Sequence, residues 1–266
     1  MINSARPLEG KTVLIVDDQK FLRNILAQGL KGAGAKVVEA SDGFEGLSIL
    51  GLGDRMSDRM EAMKRQRPDM FAGAADRRAI DCVVSDIRMS PMNGLEMLKA
   101  VRSGFSSARR DLPFVVMSAH ADEPLIGAAI ALDAHGFVAK PVSQAEIVER
   151  ILRAQRIQLR IKPSEAYALL IVPELNAAMM ETDVGKLAES VVAVIRAGDV
   201  AALAGQNQVT VGLHELKADD VLADDVKTTS GRLVIPSGTK VTIALIAALG
   251  DLAKIAKLVD KVAVRR

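Results

Sequence analysis

Charged and hydroxyl side chains stand at the ends of four short apolar segments, and these residues are the ones able to do chemistry. They are Asp17 with Asp18, then Asp86, Ser118 and Lys140. A short run rich in β-branched residues predicts a buried strand, and parallel strands bring their carboxyl ends to one edge of a sheet. We therefore expect three carboxylates, a hydroxyl and an ammonium group to meet there. A carboxylate is costly to bury unless a metal ion or another cation meets it, so this edge is a candidate ionic site.

The elements that position these residues follow from the hydrophobic pattern. Apolar residues at helical spacing follow the predicted strands, and Asn93-Gly94 and Ser143 stand where two of these helices begin. Strands and helices therefore alternate, which predicts an α/β fold with a five-stranded, doubly wound parallel sheet. The predicted strands are Lys11–Val16, Lys36–Ala40, Ile80–Ser85, Phe114–Met117 and Gly136–Ala139.

The order of these strand ends resembles the receiver domain of two-component response regulators, which has a flavodoxin-like fold. Asp-Asp, then Asp, then Ser-Ala, then Lys-Pro each follow an apolar strand. The resemblance implies that Asp86 accepts a phosphoryl group from a sensor histidine kinase or a phosphotransfer protein. It also implies a Mg²⁺ ion held by Asp17, Asp18, Asp86 and the backbone carbonyl of Arg88. Such a protein is a phosphoacceptor and not an enzyme that acts on a separate substrate.

The same resemblance assigns roles around the phosphoryl group. Ser118 and Lys140 would contact it, and Phe137 would move inward as the Ser118 hydroxyl turns toward it. The alternative for Phe137 is an ordinary core position. The bond before Pro141 would be a cis peptide, which is an isomer essentially restricted to X–Pro bonds.

Two further positions would flank the path of water to the phosphate, and they are Arg88 and His120. Residues there would modulate dephosphorylation. The alternative for His120 is an exposed loop histidine. The family often has proline at the position of Ser90, whereas here the proline follows one residue later, at Pro91.

The chain is too long for one receiver. We predict a loose N-terminal arm over residues 1–10, a receiver over 11–160, a helical connector over 161–207 and a small β module over 208–266. A charged, Met-rich insertion over 51–78 separates the second predicted helix from the third strand. It is either a surface elaboration or a docking surface for a partner, because Met side chains adapt to many shapes.

Two stretches beyond the receiver leave alternatives open. The apolar pattern after Ser143 continues toward Pro163, with Arg150 and Arg153 on another side. This predicts either an ordinary last helix with a solvated basic face or an extended helix that pairs with a second copy. Residues Gly212–Leu249 resemble a β module attached to receivers and found ahead of HD-GYP phosphodiesterase domains. A final helix is predicted from Ile243 to Val262.

The motifs of that phosphodiesterase are missing from the sequence. None of the three histidines is followed by aspartate, and the single tyrosine, Tyr167, is not in a Gly-Tyr-Pro context. The resemblance therefore implies a regulatory or binding module.

Composition limits the partners. The 266 residues carry a net charge of +2, which argues against nucleic acid or membrane binding by bulk electrostatics. The single cysteine, Cys82, fits a reducing cytoplasm. We expect no signal peptide and no spanning segment.

The expected output is non-DNA-binding, through a downstream protein partner or a homodimer. The alternatives are a DNA-binding transcription regulator, a regulator of a cyclic-nucleotide-type hydrolase that acts through the C-terminal module, and a simple phosphate sink.

Overall fold

The computed structural model describes residues 6–51, 65, 79–119, 123–172, 187, 189–195, 208–253 and 257–266. It confirms the predicted five-stranded parallel sheet, in the order β2-β1-β3-β4-β5. The strands are β1 Thr12–Val16, β2 Lys36–Ala40, β3 Cys82–Asp86, β4 Phe114–Ser118 and β5 Gly136–Ala139. The helices of this part are α1 Lys20–Gly32, α2 Gly43–Leu50, α3 Gly94–Arg102, α4 Glu123–Ala131 and α5 Gln144–Ala154.

Two buried clusters, one on each face of the sheet, show why the sheet is doubly wound. Successive side chains of a strand point to opposite faces, so Leu14 and Ile15 of β1 enter different clusters. One cluster takes apolar residues from α1 and α5, and the other takes them from α2, α3 and α4. The second cluster continues into the C-terminal part of the chain, with Leu249 and Val262 among its members.

The C-terminal part contains the predicted β-rich module. Strands β6 Gln208–Gly212, β7 Val221–Leu222 and β10 Lys261–Arg265 form a three-stranded sheet, and β8 Val226–Lys227 pairs with β9 Leu233–Ile235. Helix α6 Ser164–Ala168 precedes this module and helix α7 Ile243–Leu252 lies within it. None of the helices in the described part of the chain combines the length and apolar character needed to cross a bilayer.

The prediction of a final helix to Val262 is wrong at its C-terminal end. Helix α7 ends at Leu252, and the last residues form β10, which is the central strand between β6 and β7. Its pairing partners are distant in sequence, such as Lys261 with Gly212. Pairing of this kind outweighs local helical spacing, because tertiary contacts routinely override propensity.

The helix after Ser143 is also shorter than its extended alternative. Helix α5 ends at Ala154, and residues 157–163 have no regular secondary structure. The chain returns to the receiver instead, since Tyr167 is buried and its hydroxyl donates to Asp133 Oδ2 at 2.7 Å. The expectation of a solvated basic face is wrong for Arg150, which is buried in an ion pair with Asp251.

The predicted N-terminal arm is not loose where it is described. Leu8 is fully buried, and its amide donates to the Ala33 carbonyl at 3.0 Å. Residues 6–10 therefore pack on the receiver. Of the insertion over 51–78, only Gly51 and Arg65 lie within the described residues. The choice between a surface elaboration and a docking surface therefore stays open. Much of the predicted connector also lies outside the described residues.

Candidate functional site

The carboxyl ends of β1 and β3 bring the three predicted aspartates together. The strands are parallel neighbours, with Val16 beside Ser85 in the register. Asp17 and Asp86 are buried and Asp18 is exposed. One carboxylate oxygen from each lies within 4.8 Å of the others. A single small ion could therefore contact all three carboxylates.

Lys140 joins this cluster from the end of β5. Its Nζ lies 2.7 Å from Asp86 Oδ2 and 3.2 Å from Asp17 Oδ2. Burial favours a lower pKa for this ammonium, but attraction to Asp86 and Asp17 outweighs burial and raises the pKa above its usual value. Lys140 is therefore charged at neutral pH. The Lys140–Pro141 peptide bond is cis, and so is the Ser90–Pro91 bond.

The balance of charges in the cluster indicates whether a metal ion fits there. Asp17, Asp18 and Asp86 bring three negative charges, and Lys140 brings one positive charge. Two of the carboxylates are buried, where uncompensated charge is costly. Carboxylate oxygens are the ligands that Mg²⁺ prefers, and its protein sites use few of them. The donor set and its excess of negative charge therefore fit a divalent ion such as Mg²⁺.

The turn after β1 is held by Arg23, a residue that sequence reasoning missed. Arg23 Nη1 donates to the Asp17 carbonyl at 2.6 Å, and its Nε lies 3.4 Å from Glu39 Oε2. The Gln19 amide donates to Asp17 Oδ1 at 2.8 Å. These contacts hold the backbone and the carboxylate of Asp17 in place. Nothing in the sequence distinguishes Arg23 from an ordinary polar residue of α1, because its partners lie just after β1 and in β2.

The backbone around Asp86 is constrained by Gly94, which was predicted only as the start of a helix. A β-carbon at Gly94 would lie 2.0 Å from the Asp86 carbonyl oxygen, closer than real contacts allow. Asn93 caps α3 by accepting from the amides of Leu95 and Glu96, and the Glu96 side chain accepts from the Asn93 amide. This capping box confirms the predicted helix start and brings α3 against the end of β3.

The other predicted site residues surround the same edge. Ser118 ends β4, is buried, and its hydroxyl donates to the Ala119 carbonyl at 3.2 Å. Phe137 lies in β5 with 1% of its surface exposed. Arg88 is half-buried in the loop after β3. His120 lies outside the described residues. Ser118 thus ends β4 and Lys140 follows the neighbouring strand β5, both at the edge that carries the aspartates, and Phe137 lies in the core.

Comparison with known proteins gives a family match over the α/β part of the chain. A family profile described as the response regulator receiver domain matches residues 13–152. The chain is 28% identical over 224 residues to the C4-dicarboxylate transport transcriptional regulatory protein DctD of Pseudomonas aeruginosa, covering 80% of this chain and 42% of DctD. It is 31% identical over 136 residues to the two-component response regulator ARR15 of Arabidopsis thaliana, covering 51% of this chain and 58% of ARR15. The chain thus spans about half the length of these relatives.

Solved structures also resemble this chain. A response regulator receiver domain protein from Clostridium thermocellum has a TM-score of 0.41 at 19% identity, covering 55% of this chain and 94% of its own. A chain of the CheX–CheY–BeF₃–Mg²⁺ complex from Borrelia burgdorferi has a TM-score of 0.40 at 22% identity, covering 56% of this chain and 96% of its own.

Proposed function

This chain belongs to the response regulator receiver domain family, and from that premise we propose that it is a Mg²⁺-dependent phosphoacceptor with a non-DNA-binding output. Its phosphodonor is a sensor histidine kinase or a phosphotransfer protein. The observation that carries the proposal is the excess of carboxylates at the sheet edge. Asp17, Asp18 and Asp86 meet there with Lys140 as their cationic partner. A reducing cytoplasm suits the single buried thiol, Cys82.

Asp86 is the nucleophile of this proposal. A carboxylate oxygen attacks the phosphorus of a phosphohistidine, and the N–P bond breaks as the O–P bond forms. The electron pair of the N–P bond remains on the departing imidazole, and the product is an acyl phosphate. Phosphoryl transfer needs mainly alignment and neutralised charge, so a buried nucleophile beside a lysine is well suited to it.

The neighbours of Asp86 supply that charge and alignment. Asp17, Asp18, Asp86 and the Arg88 carbonyl would hold Mg²⁺, which neutralises phosphoryl oxygens when bound. Lys140 pairs with Asp86 before transfer and is placed to pair with the phosphoryl oxygens after it. Gly94 allows α3 to approach the backbone of Asp86 closely.

The switch rests on the residues of β4 and β5. The Ser118 hydroxyl leaves the Ala119 carbonyl and turns toward the phosphoryl group. Phe137 responds to that movement, and Lys140 at the end of the same strand follows the phosphate. Pro141 shapes the loop behind the lysine through its cis bond. Arg88 and His120 modulate the access of water and hence the lifetime of the phosphate.

The output is a protein interaction that the segments after the receiver control, with domains at 11–160, 161–207 and 208–266. Helix α7 is the only α-helix within the described residues after 208, and its buried leucines lie in the same cluster as apolar residues of the receiver. Reading a DNA groove requires an exposed helix or ribbon. Transcription regulation is the second candidate, because the relative DctD is named a transcriptional regulatory protein.

Phosphorylation with a small-molecule donor, acetyl phosphate, tests the main proposal. In the presence of Mg²⁺ we expect intact-mass measurement to find one phosphoryl group on the wild type and none on Asp86→Asn. Asp81→Asn is the matched control, because Asp81 precedes the same strand at its opposite end and accepts from the Thr12 amide. The proposal fails if Asp86→Asn is phosphorylated as well as the wild type, or if the wild type stays unmodified with both acetyl phosphate and a phosphorylated kinase.

A salt titration of DNA binding separates the two outputs. Phosphate contacts make affinity for DNA fall steeply with salt concentration. We expect the phosphorylated chain to show no such salt-dependent binding to double-stranded DNA. Salt-dependent binding that appears on phosphorylation would favour the transcription regulator.

A further inference from the structure

A cavity of about 560 Å³ lies between the end of α4, the segment 158–163 after α5 and the C-terminal module. A volume of this size is typical of sites for small molecules. Asp133 and Ala134 line the cavity and stand just before β5, so it lies near the amino end of that strand. The three clustered aspartates lie at the carboxyl ends of the strands instead. The cavity is therefore separate from the candidate phosphoacceptor site.

The walls of this cavity are held in place by an ion pair and by hydrogen bonds. Lys162 Nζ lies 2.6 Å from Asp133 Oδ2, and Arg110 Nη2 donates to the Lys162 carbonyl at 2.6 Å. These contacts fix the segment after α5 against the receiver. On the module side, the Asp219 amide donates to the Val241 carbonyl at 2.9 Å. The cavity is therefore preformed, as most sites for small molecules are.

Most of the residues that line the cavity are aliphatic. Ile130, Val241 and Leu245 are buried members of the lining, whereas Ile243 is 71% exposed. A ligand that covers Ile243 removes apolar surface from water, which is favourable. None of the described residues of the lining is aromatic, and nucleobases usually stack on aromatic side chains. The lining therefore favours an aliphatic chain over a planar ring.

Three cations line the cavity, and they differ in their partners. Lys162 and Asp133 form a mostly buried pair in which the two charges balance. Lys240 Nζ lies 2.7 Å from Asp219 Oδ1, but the Asp219 side chain is 80% exposed, and such surface pairs contribute little. Arg160 is exposed, and no ion pair joins it to any of the described residues. The lining thus contains one more cation than carboxylates and favours an anion.

We propose that this cavity binds an aliphatic monocarboxylate. Arg160 pairs with the carboxylate, since a guanidinium group presents two parallel donors to the two oxygens. Lys240 assists, because its exposed partner Asp219 is easily replaced. The aliphatic chain lies against Ile243 and Leu245. No step of the proposed phosphoryl transfer involves this cavity. A bound ligand contacts the receiver, the segment after α5 and the module at once, so binding stabilises the folded chain.

Isothermal titration calorimetry of the full chain with decanoate tests this site. The matched ligand without a charge is 1-decanol, and acetate carries the charge without the chain. We expect decanoate to bind at least about tenfold more tightly than 1-decanol, because hydrogen bonds to charged groups contribute at least that factor. Acetate should give no measurable binding, because it lacks the chain that covers the apolar lining.

Variants of the lining cations test the recognition of charge. Arg160→Gln should weaken decanoate binding about tenfold and leave 1-decanol binding unchanged. Lys240→Gln should weaken decanoate binding less, because Lys240 already has a carboxylate partner. Arg156→Gln is the matched control and should bind both ligands as the wild type does. Arg156 is an exposed arginine shortly before the same segment, and it does not line the cavity.

Variants that fill the cavity test the place of the chain. Ala244→Leu and Ala218→Leu each add a larger side chain at a lining position, one half-buried and one exposed. Both should weaken decanoate and 1-decanol together, because the added side chain occupies the volume that the aliphatic chain needs. Far-UV circular dichroism checks that each variant is folded, and the exposed position keeps the test open if Ala244→Leu does not fold.

Several results would overturn this site. They are absence of decanoate binding to the wild type, equal binding of decanoate and 1-decanol, and a loss in Arg156→Gln as large as that in Arg160→Gln. Undiminished binding in both leucine variants would place the ligand elsewhere and overturn the site as well. Asp86→Asn should bind decanoate as the wild type does, so a failure of the proposed phosphoacceptor function leaves this test valid.

Discussion

Two buried ionic clusters flank the short strand β5, and they differ in the balance of their charges. At the carboxyl end, three carboxylates meet one ammonium group, that of Lys140. On the outer edge, the Asp251 carboxylate forms ion pairs with Arg150 and Arg153. Glu146 Oε1 lies 3.7 Å from Arg150 Nη2 and completes this outer cluster. The second set is balanced, with two carboxylates and two guanidiniums, and needs no ligand. The first has a surplus of negative charge, which a metal ion would neutralise.

This difference separates a candidate reactive site from a structural contact. Both clusters contain buried carboxylates paired with cations, so burial and pairing alone do not distinguish them. The excess of carboxylates over cations does, because an uncompensated buried charge is tolerated only where something else binds it.

Removal of the Asp251 carboxylate should have the largest effect on stability. Asp251→Ala leaves Arg150 buried without its main partner, and breaking a buried ion pair costs about 3–5 kcal/mol. Urea unfolding followed by far-UV circular dichroism would measure this loss. Asp260→Ala, at an exposed position, should stay within about 0.5 kcal/mol of the wild type. An equally small change for Asp251→Ala would show that the outer cluster is not a structural contact.

A methyl group added at Gly94 should have the next-largest effect on stability. Gly94→Ala places a β-carbon 2.0 Å from the Asp86 carbonyl oxygen, so α3 must move away from Asp86. Overpacking of this kind costs about 3 kcal/mol at the upper end of its usual range.

Phosphorylation of Asp86 in Gly94→Ala should fall together with its stability. Gly250→Ala in α7 is the control, because a β-carbon there meets nothing within 4 Å. That variant should be neutral or more stable by up to about 1 kcal/mol. Normal phosphorylation of Gly94→Ala would contradict the constraint at Asp86.

Mg²⁺ should stabilise the cluster of Asp17, Asp18 and Asp86 and have no effect on the cluster around Asp251. A ligand at a hundred times its Kd stabilises the folded state by about 2.7 kcal/mol. Urea unfolding with and without saturating Mg²⁺ should show this gain in the wild type and in Arg153→Gln. Asp18→Asn should abolish most of it, because Asp18 contributes one of the three clustered carboxylates. A full gain in Asp18→Asn would place the ion elsewhere.

The smallest expected effect on stability comes from His135, and it depends on pH. Burial, together with the neighbouring Arg102 and Arg109, lowers its pKa to about 3. Its Nδ1 accepts from the Phe114 amide at 3.2 Å and lies 3.3 Å from an Arg102 nitrogen, so the folded state keeps the ring neutral. The unfolded state binds a proton near pH 6.5, so this stability is complete above that pH and is lost as pH falls.

The loss should be about 1.4 kcal/mol between pH 7.5 and 5.5. His135→Asn keeps an acceptor oxygen near the position of Nδ1 but cannot titrate. The pH dependence of its unfolding free energy should therefore be smaller than that of the wild type by this amount. Parallel curves for the two proteins would mean that His135 takes up a proton in the folded state.

The receiver sheet could be predicted because its signals are local. Most of its strands are short runs rich in β-branched residues, and each site residue ends its strand or follows it directly, as Asp86 ends β3. Parallel pairing then brings these ends to one edge without further information. The start of α3 at Gly94 was predicted for the same reason, since the Asn93 cap lies within one turn of it.

The errors have a common cause, which is long-range contact. The last strand, β10, pairs with strands whose sequences lie tens of residues away, and no local pattern marks it as a strand. Arg150 and Arg153 read as a solvated stripe because their partner, Asp251, belongs to another part of the chain. The sequence contains all three charged residues but does not show that the fold brings them into contact.

The acidic edge of the sheet could be predicted from the sequence alone. Residue type and strand order suffice there, because a parallel sheet has one carboxyl edge and hard oxygen ligands have few uses in such a place. What covers β5 depends instead on tertiary contacts. The docking of α7 depends on the combined packing of two distant segments around Asp251. Contacts of that kind are set by the closure of the whole fold and have no signature within one segment.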